Sequence, residues 1–458
     1  MLECKDKKRG RLLWVVFLLC MLIVLGVFFE RVLSNSMITE MSGGQVIKIS
    51  KQYVMGCIYD RYGNEIVKGT QSGVKWENEV TQAAFGNLMG VDIELSKNSR
   101  MTVCGNCSWI YGTEDNCFET EDFLGINKER IGGSVELTLD KELQVYIYKL
   151  LAERGYKEAS IVVSDWSTGE VYAAIGSVFS ETYHPGSTIK PILAAAILNI
   201  RPNLATYTYN CTDSNHNFYT EDGVYRVNCI NNKCHGVMNM EDAMIYSCNG
   251  YFVSLLQQVS KQELQEELKK WGFDSVVSYE QFMYWDHSFV KESSSEQDYL
   301  LAAIGQANVF ITPMGMNLAT NTILNGGCLK EPVLIKEKQS SHNEVWREVK
   351  LDKVYEVCDD ESATMISNMM LGVTEKGTGK SYYYPGFASK TGTAQKANPD
   401  GSLSDKQTVW TTGGLVGADK HYSITVCLDN VSEETGSKEA GKIAKNILEF
   451  MEGGKSNE

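Results

Sequence analysis

Histidine is scarce, with six residues in a chain of 458, and no Gly-x-Ser-x-Gly turn presents a serine to any of them. A serine hydroxyl is a poor nucleophile unless a base stands beside it, so a Ser-His hydrolase of the elbow type is poorly supported. Positive charge is also in the minority: 43 Lys and Arg face 58 Asp and Glu, for a formal net charge of −15. No basic stripe is left to neutralise phosphates, which argues against nucleic acid as a partner. Internal repeats and low-complexity tracts are lacking too. What remains is ordinary globular composition, 43% hydrophobic and 22% charged, in a chain long enough for more than one domain.

The acidic balance breaks at the N-terminus. "KDKKRGR" (residues 5 to 11) precedes the uncharged run "LLWVVFLLCMLIVLGVFF", Leu12 to Phe29. That run is about long enough to cross a bilayer as one helix. Its basic flank should stay in the cytoplasm while the rest of the chain is exported, giving a cytoplasmic tail at 1–11 and an anchor at 12–33. Ser34 and Ser36 offer a cleavage site for a signal peptide instead; the run is longer than a usual signal core, so an uncleaved single-pass anchor is expected.

Of 13 cysteines, Cys4 and Cys20 precede residue 33 and eleven follow it, an odd number that cannot pair completely. "CGNC" (Cys104, Cys107) with Cys117, and "NCINNKCHG" (Cys229, Cys234, His235) after Cys211, have an outward likeness to zinc spacing. Neither set completes four ligands at a familiar interval, so disulfides or free thiols are expected, with no metal and no other cofactor.

Residues 34–135 mix strand-like pieces such as "GCIYDRYGNEIVKG" with the helical "ENEVTQAAFGNLMG", and read as a small non-catalytic module. At "GGSVELTLDKELQVYIYKLLAERG" a strand runs into an amphipathic helix carrying Leu143, Val145, Ile147, Leu150 and Leu151. "ASIVVSD" and "VYAAIGS", joined by "WSTGE", read as a β-hairpin. "GFASKTGTAQ", "VWTTGGLVGA" and "HYSITVCLDN" read as three further strands, and "SKEAGKIAKNILEFME" as a closing helix. Residues 187–375 between these strand groups are mostly helical pattern. The expectation for 136–458 is therefore one α+β domain, an antiparallel sheet flanked by its first and last helices, with a helical subdomain beside it.

Three motifs stand out. In "YHPGSTIKPILAAAIL" a Pro-Gly turn is followed by Ser187, and Lys190 stands one turn further along an apolar helix. Ser-x-x-Lys also occurs at Ser72 and Ser288, but polar surroundings should leave those lysines solvated. Only Lys190 can lose water, which lowers a lysine's pKa and makes it a usable base. "YSCNGYF" places Ser247 and Asn249 at a helix end, where a C-terminal cap with Asn249 or Gly250 near the left-handed region is the plain structural reading. "SKTGTAQ" holds Lys390, Thr391, Gly392 and Thr393 in a strand; a glycine there marks close approach to the backbone, and the lysine could attract an anion or simply lie solvated on an edge strand.

Ser-x-x-Lys, Ser-Asp-Asn and Lys-Thr-Gly, in this order, are the signature of serine β-lactamases and penicillin-binding proteins, with Cys248 here in place of Asp. On these residues the chain resembles a class B penicillin-binding protein, a membrane-anchored, monofunctional D,D-transpeptidase of peptidoglycan synthesis. The likeness extends to "CIYDRYGNEIV", "VELTLDKELQ", "ASIVVSDWSTGEVYAAIGS" and "AIGQANVFITPMGMNLATNTILNGG", covering nearly all of residues 55 to 450. Departures are Tyr62 where Asn is usual, Ala307 where "GQG" is typical, and a short N-terminal module.

The resemblance implies Ser187 as acyl-accepting nucleophile, Lys190 as general base, and Ser247 as proton relay to the leaving group. Asn249 would hold Lys190 and the substrate amide, Lys390 would supply positive potential, and Thr391 would bind the substrate's terminal carboxylate. The N–H groups of Ser187 and Thr393 would form the oxyanion hole. It further implies peptidoglycan stem peptides as substrate, β-lactams as inhibitors, and a glycosyltransferase partner in the membrane, since nothing before residue 135 reads as a polymerising domain. A β-lactamase or D,D-carboxypeptidase would use water instead of an amine; no separate acid is positioned by motif to activate that water. A β-lactam sensor or inactive scaffold is a further alternative, against which the intact Ser187, Lys190, Asn249 and Lys390 set argues. "EKGTGKS" (residues 375 to 381) lacks the first glycine of a phosphate-binding loop and reads as a connection into the Lys390 strand.

Overall fold

The computed structural model describes residues 21–22, 53–70, 73–89, 130–220, 222–274, 277–278, 283–285, 287–291, 294–339, 346–349, 353–397, 402–417 and 419–453. The expected anchor lies outside them apart from Met21 and Leu22, as do Ser72, Cys104, Cys107 and Cys117. Among the described residues no helix is long and apolar enough to cross a membrane.

Strands β1 (Ile58–Tyr59), β2 (Glu65–Thr70) and β3 (Gly73–Trp76) form an antiparallel meander. Asp60 shapes its first turn, accepting from the backbone N–H groups of Tyr62 at 3.0 Å and Asn64 at 2.7 Å. Helix α1 (Glu79–Met89) buries Ala84, Phe85, Leu88 and Met89. Strand β4 (Ser134–Leu137) then runs parallel to β1.

Helix α2 (Lys141–Glu153) starts where Asp140 accepts from the Leu143 N–H at 3.0 Å. Leu143, Ile147, Leu150 and Leu151 are buried on one stripe, as expected. Val145 is only half-buried, because two residues on from Leu143 lies across the helix. Gln144 is the buried neighbour instead, its amide shared between the Ala84 and Ala174 backbones.

The hairpin is β5 (Ala159–Asp165) and β6 (Val171–Ile175). The helical region contains α3 (Lys190–Ile200), the short pair β7 (Tyr209–Cys211) and β8 (Gly236–Met238), and helices α4 (Met240–Ile245), α5 (Asn249–Leu256) and α6 (Pro313–Leu324). Strands β9 (Ile335–Gln339) and β10 (Trp346–Glu348) return to the first sheet, whose order is β10-β9-β4-β1-β2-β3. The N-terminal strands thus share their sheet with strands from the later half of the chain.

Helix α7 (Asp360–Lys376) leads to β11 (Phe387–Ala397), β12 (Leu403–Leu415), β13 (Tyr422–Ser432) and α8 (Gly436–Glu452). The main sheet, in order β11-β12-β13-β5-β6, is antiparallel throughout. One face carries Ile161, Val163, Val426 and Leu428 against the buried stripes of α2 and α8, including Ile443, Ile447 and Leu448. On the other face Ser164, Thr412 and Thr425 meet Asn317 and Thr320 of α6 through buried hydrogen bonds. The α+β architecture expected from the sequence is the one observed, with β11 at the sheet edge.

Candidate active site

The Ser187 turn is a 3₁₀ segment, Gly186–Ile189, running straight into α3. Every residue of α3 from Lys190 to Leu198 is buried, so this helix is core on all sides and carries Lys190 into the interior. Ser187 itself is half-buried. The turn is fixed from outside: Trp410 Nε1 donates to the His184 carbonyl at 3.0 Å, and the Thr188 hydroxyl donates to the Pro185 carbonyl at 2.7 Å. His184 is half-covered, its ring on Phe310 and its Nδ1 2.9 Å from the Val309 carbonyl.

Lys190 Nζ donates to the Ser247 carbonyl at 2.9 Å, to Ser247 Oγ at 3.1 Å and to Asn249 Oδ1 at 2.8 Å. The Phe252 ring lies 5.4 Å from the same nitrogen. Desolvation lowers the Lys190 pKa to about 8, against which the Cys248 and Cys229 sulfurs pull upward. Asn249 is held from its other end by the Asn228 carbonyl, 2.9 Å from Nδ2.

Ser247 follows the end of α4 and takes φ +56°, the left-handed region that costs a non-glycine residue about 1–3 kcal/mol. The left-handed residue of the cap was expected at Asn249 or Gly250; it is Ser247, just past the Tyr246 C-cap, and Asn249 begins α5 with Cys248 at its N-cap. This kink points the Ser247 hydroxyl and carbonyl at Lys190 together.

Strand β11 closes the site. Lys390 is 0% exposed despite its edge strand, so the solvated alternative fails for the lysine though not for the strand. Its Nζ donates to Ser247 Oγ and to the Thr391 carbonyl, both at 3.0 Å. Desolvation and the neighbouring Lys190 push its pKa well down. Thr391 Oγ1 lies 3.0 Å from Thr378 Oγ1. Gly392 is where the strand meets the Ser187 turn: a Cβ there would fall 2.6 Å from the Pro185 carbonyl oxygen and 2.9 Å from Thr188 Cγ2. Thr393 abuts the same turn, its carbonyl oxygen 2.5 Å from where a Cβ on Gly186 would stand.

The fold therefore brings Ser187, Lys190, Ser247, Asn249 and Lys390 to Thr393 together from three distant segments. Lys75 and Lys291, which follow the other two Ser-x-x-Lys serines, are exposed. The motifs alone left out Asn228, Phe252 and Trp410, which carry no signature. Thr378 was also missed, though it lies in the "EKGTGKS" run, which spans the end of α7 and the connection towards β11.

Beside this corner the described cysteines are free thiols, one of the two outcomes expected, but four potential ligands gather there. Cys211, Cys229, His235 and Cys248 bring their ligand atoms within 4.8 Å of one another. The fourth member is Cys248 of the Ser-x-Asn motif, while Cys234 is exposed and stands apart from the group. The Cys229 thiol is held below its usual pKa by the hydrogen bond from Cys248, helped by the N–H groups of Gly250 and Asn249.

An antiparallel sheet edged by Lys-Thr-Gly, packed on a Ser-x-x-Lys helix and a Ser-x-Asn corner, is the arrangement of the serine β-lactamase and penicillin-binding superfamily. The family model for the penicillin binding protein transpeptidase domain matches residues 159–449, and the chain belongs to that family. It is 29% identical over 275 residues to stage V sporulation protein D of Bacillus subtilis, covering 58% of this chain and 42% of the relative. It is 25% identical over 380 residues to the peptidoglycan D,D-transpeptidase MrdA of Acinetobacter baumannii, covering 71% and 55%. The chain thus spans about half the length of the curated relatives it matches. Among solved structures it is similar to penicillin-binding protein A from M. tuberculosis in its ceftriaxone acyl-enzyme complex, with TM-score 0.74 at 18% identity, covering 87% of this chain and 98% of that one.

Proposed function

We propose that this chain is a class B penicillin-binding protein that cross-links peptidoglycan stem peptides by serine acyl transfer. The observation that carries the reading is the shared use of Ser247 Oγ by Lys190 and Lys390, a proton path between a base and an anion-attracting amine.

In the first half-reaction Ser187 Oγ attacks the carbonyl carbon of the D-Ala-D-Ala amide, and Lys190 takes its proton. The N–H groups of Ser187 and Thr393 receive the oxyanion, where fixed donors act most strongly. The C–N bond then breaks, Ser247 delivers the proton to the departing D-Ala amine, and an ester remains on Ser187. Lys390 supplies positive potential, Thr391 binds the terminal carboxylate, Gly392 lets the strand lie against the nucleophile turn, and Asn249 orients Lys190 and the substrate amide. In the second half-reaction an amine of a neighbouring stem peptide attacks the ester. It gives up a proton through the same path, and Ser187 leaves with its hydroxyl restored.

Residues 12–33 would anchor the chain with its N-terminus cytoplasmic, residues 34–135 would act as a pedestal, and 136–458 would work outside the membrane on a lipid-linked precursor or nascent glycan. Polymerisation would come from a glycosyltransferase partner in the same membrane. The test is intact-mass measurement after penicillin exposure, with peptide mapping. A long-lived adduct on Ser187, absent in Ser187→Ala, is expected. Rapid loss of the adduct would favour a β-lactamase, and no adduct would favour a scaffold.

A further inference from the structure

One row of directly opposed residues crosses the main sheet: Gly392 of β11, Trp410 of β12, Cys427 of β13 and Ser160 of β5. Cross-strand partners share a face, and two residues along β11 the same face carries Lys390. The sizes in the row are uneven. Gly392 has no side chain, Trp410 is the largest fully buried side chain among the described residues, and Cys427 and Ser160 are small and buried.

Residues 183–188 follow that relief. Pro185 and Thr188 lie against the backbone of Gly392, where an added Cβ would collide with them. The His184 carbonyl accepts from Trp410 Nε1 at 3.0 Å, and the Tyr183 ring stands edge-on to the indole, 6.1 Å between centroids at 73°. The other ties of this segment reach outside the sheet. Gly186 N–H donates to the Gly305 carbonyl at 3.1 Å, and Tyr183 exchanges two backbone hydrogen bonds with Ile311 at 3.0 and 3.1 Å. Trp410 is thus a side-chain link from the sheet itself to the Ser187 turn. Its N–H is buried, and a buried donor left without an acceptor is strongly unfavourable, so the link resists slipping. Lys190 is held separately, by Ser247 and Asn249.

We propose that Trp410 is a positioning residue for acyl transfer: by holding the His184 carbonyl it fixes where the Ser187 turn sits on the sheet, and so the approach of the Ser187 N–H to that of Thr393. The role rests on the acyl-transfer reading of the Ser187 site. Trp410 touches no reacting atom; it acts through the turn. A tryptophan that only filled the core would act through its volume, whereas here the indole N–H is the operative group.

The test uses the full chain in detergent, with penicillin as the probe. Trp410→benzothienylalanine, introduced by stop-codon suppression, keeps the ring shape and puts sulfur in place of the N–H. Its acylation rate at saturating penicillin is expected to fall about three- to tenfold, the worth of one hydrogen bond. The penicillin concentration giving half the maximal rate should stay within about twofold, because ground-state binding is untouched. Trp410→Phe also leaves a void and should lose about a hundredfold, the cost of an ångström-scale misplacement. In both variants the pH midpoint of acylation should remain that of wild type, since the ties of Lys190 do not run through the turn. Val426→Ala, on the opposite face of the sheet under α8, should lose stability yet acylate like wild type. Amide hydrogen exchange in a peptide covering 183–189 should quicken in the Trp410 variants and not in Val426→Ala.

A benzothienylalanine protein that acylates at the wild-type rate overturns the role of the N–H. An equal loss of acylation in Val426→Ala reduces the effect to global stability and overturns the proposal. A shifted pH midpoint places the effect at Lys190 and overturns it as well. If wild type forms no ester at Ser187, the acyl-transfer reading falls and takes the positioning role with it. Exchange at the turn then judges the tether alone: faster in the variants supports it, and unchanged overturns it.

Discussion

Lys190 and Lys390 donate to one oxygen, the Ser247 hydroxyl, at 3.1 Å and 3.0 Å. The first rises from a core helix and the second from an edge strand, and Ser247 reaches both only because its backbone is left-handed. Ser247→Ala removes the shared acceptor but leaves each amine a carbonyl, that of Ser247 for Lys190 and that of Thr391 for Lys390. The fold should survive while penicillin acylation falls by about 10²–10⁴, the usual worth of a positioned proton relay. Stopped-flow acylation with a chromogenic cephalosporin measures this, and a rate close to wild type would remove Ser247 from the proton path.

Burial sets the pH at which the site works. A lysine must be neutral to accept the Ser187 proton, and desolvation brings Lys190 to about 8. Its neutral fraction therefore grows as pH rises, so acylation should climb about tenfold per pH unit below 8 and level off above it. Lys190→Gln should lose both the rate and the slope. A wild-type profile that stays flat from pH 6 to 9 would point to another base.

How far the sequence could be read depended on the distance over which each feature is decided. Strands β5, β6, β11, β12 and β13 carry their own alternation and turns, and helices α2 and α8 their own stripes, so the sheet and its covering helices were legible. The Ser187 turn was legible for the same reason, since Pro-Gly and an apolar run are local signals. Lys390 was ambiguous because its burial comes from Ser247 on a segment far away in the chain. The gathering of Cys211, Cys229, His235 and Cys248 was not legible because strand pairing and the left-handed Asn231 and Asn232 assemble it, and because Cys248 sat inside a motif being read for catalysis. The shared first sheet was hidden likewise: Ile335 pairs with Leu137 across some two hundred residues, and neither strand announces the other.

Two glycines should respond oppositely to one added methyl group. Gly392→Ala would drive a Cβ against the Pro185 oxygen and Thr188 Cγ2, forcing β11 away from the Ser187 turn. We expect a loss of about 1–3 kcal/mol in stability, the usual cost of overpacking, and acylation reduced beyond what the lower stability explains. Gly86 lies inside α1, where an added methyl group would meet nothing within 4 Å, so Gly86→Ala should stabilise by about 0.5–1 kcal/mol through helix propensity. Thermal unfolding of both variants reads the contrast. A Gly392→Ala protein that unfolds and acylates like wild type would mean that the strand need not touch the turn.

Ala307 stands at φ +59°, a backbone region that costs an L-residue about 1–2 kcal/mol and glycine almost nothing. It follows Gly305, whose carbonyl accepts from the Gly186 N–H at 3.1 Å and whose missing side chain leaves room for the Gly186 backbone. Ala307→Gly relieves the strain but gives the unfolded chain more freedom, worth about 0.4–1 kcal/mol in the other direction. The net expectation is a gain of up to about 1 kcal/mol with acylation unchanged, because the hydrogen bonds that hold Lys190, Ser247 and Lys390 do not run through Ala307. Gly305→Ala, by contrast, collides with the backbone of the Ser187 turn and should abolish acylation before it abolishes the fold. Paired melting curves and acylation rates for the two variants check both statements, and a Gly305→Ala enzyme with normal acylation would show that the turn can shift without harm.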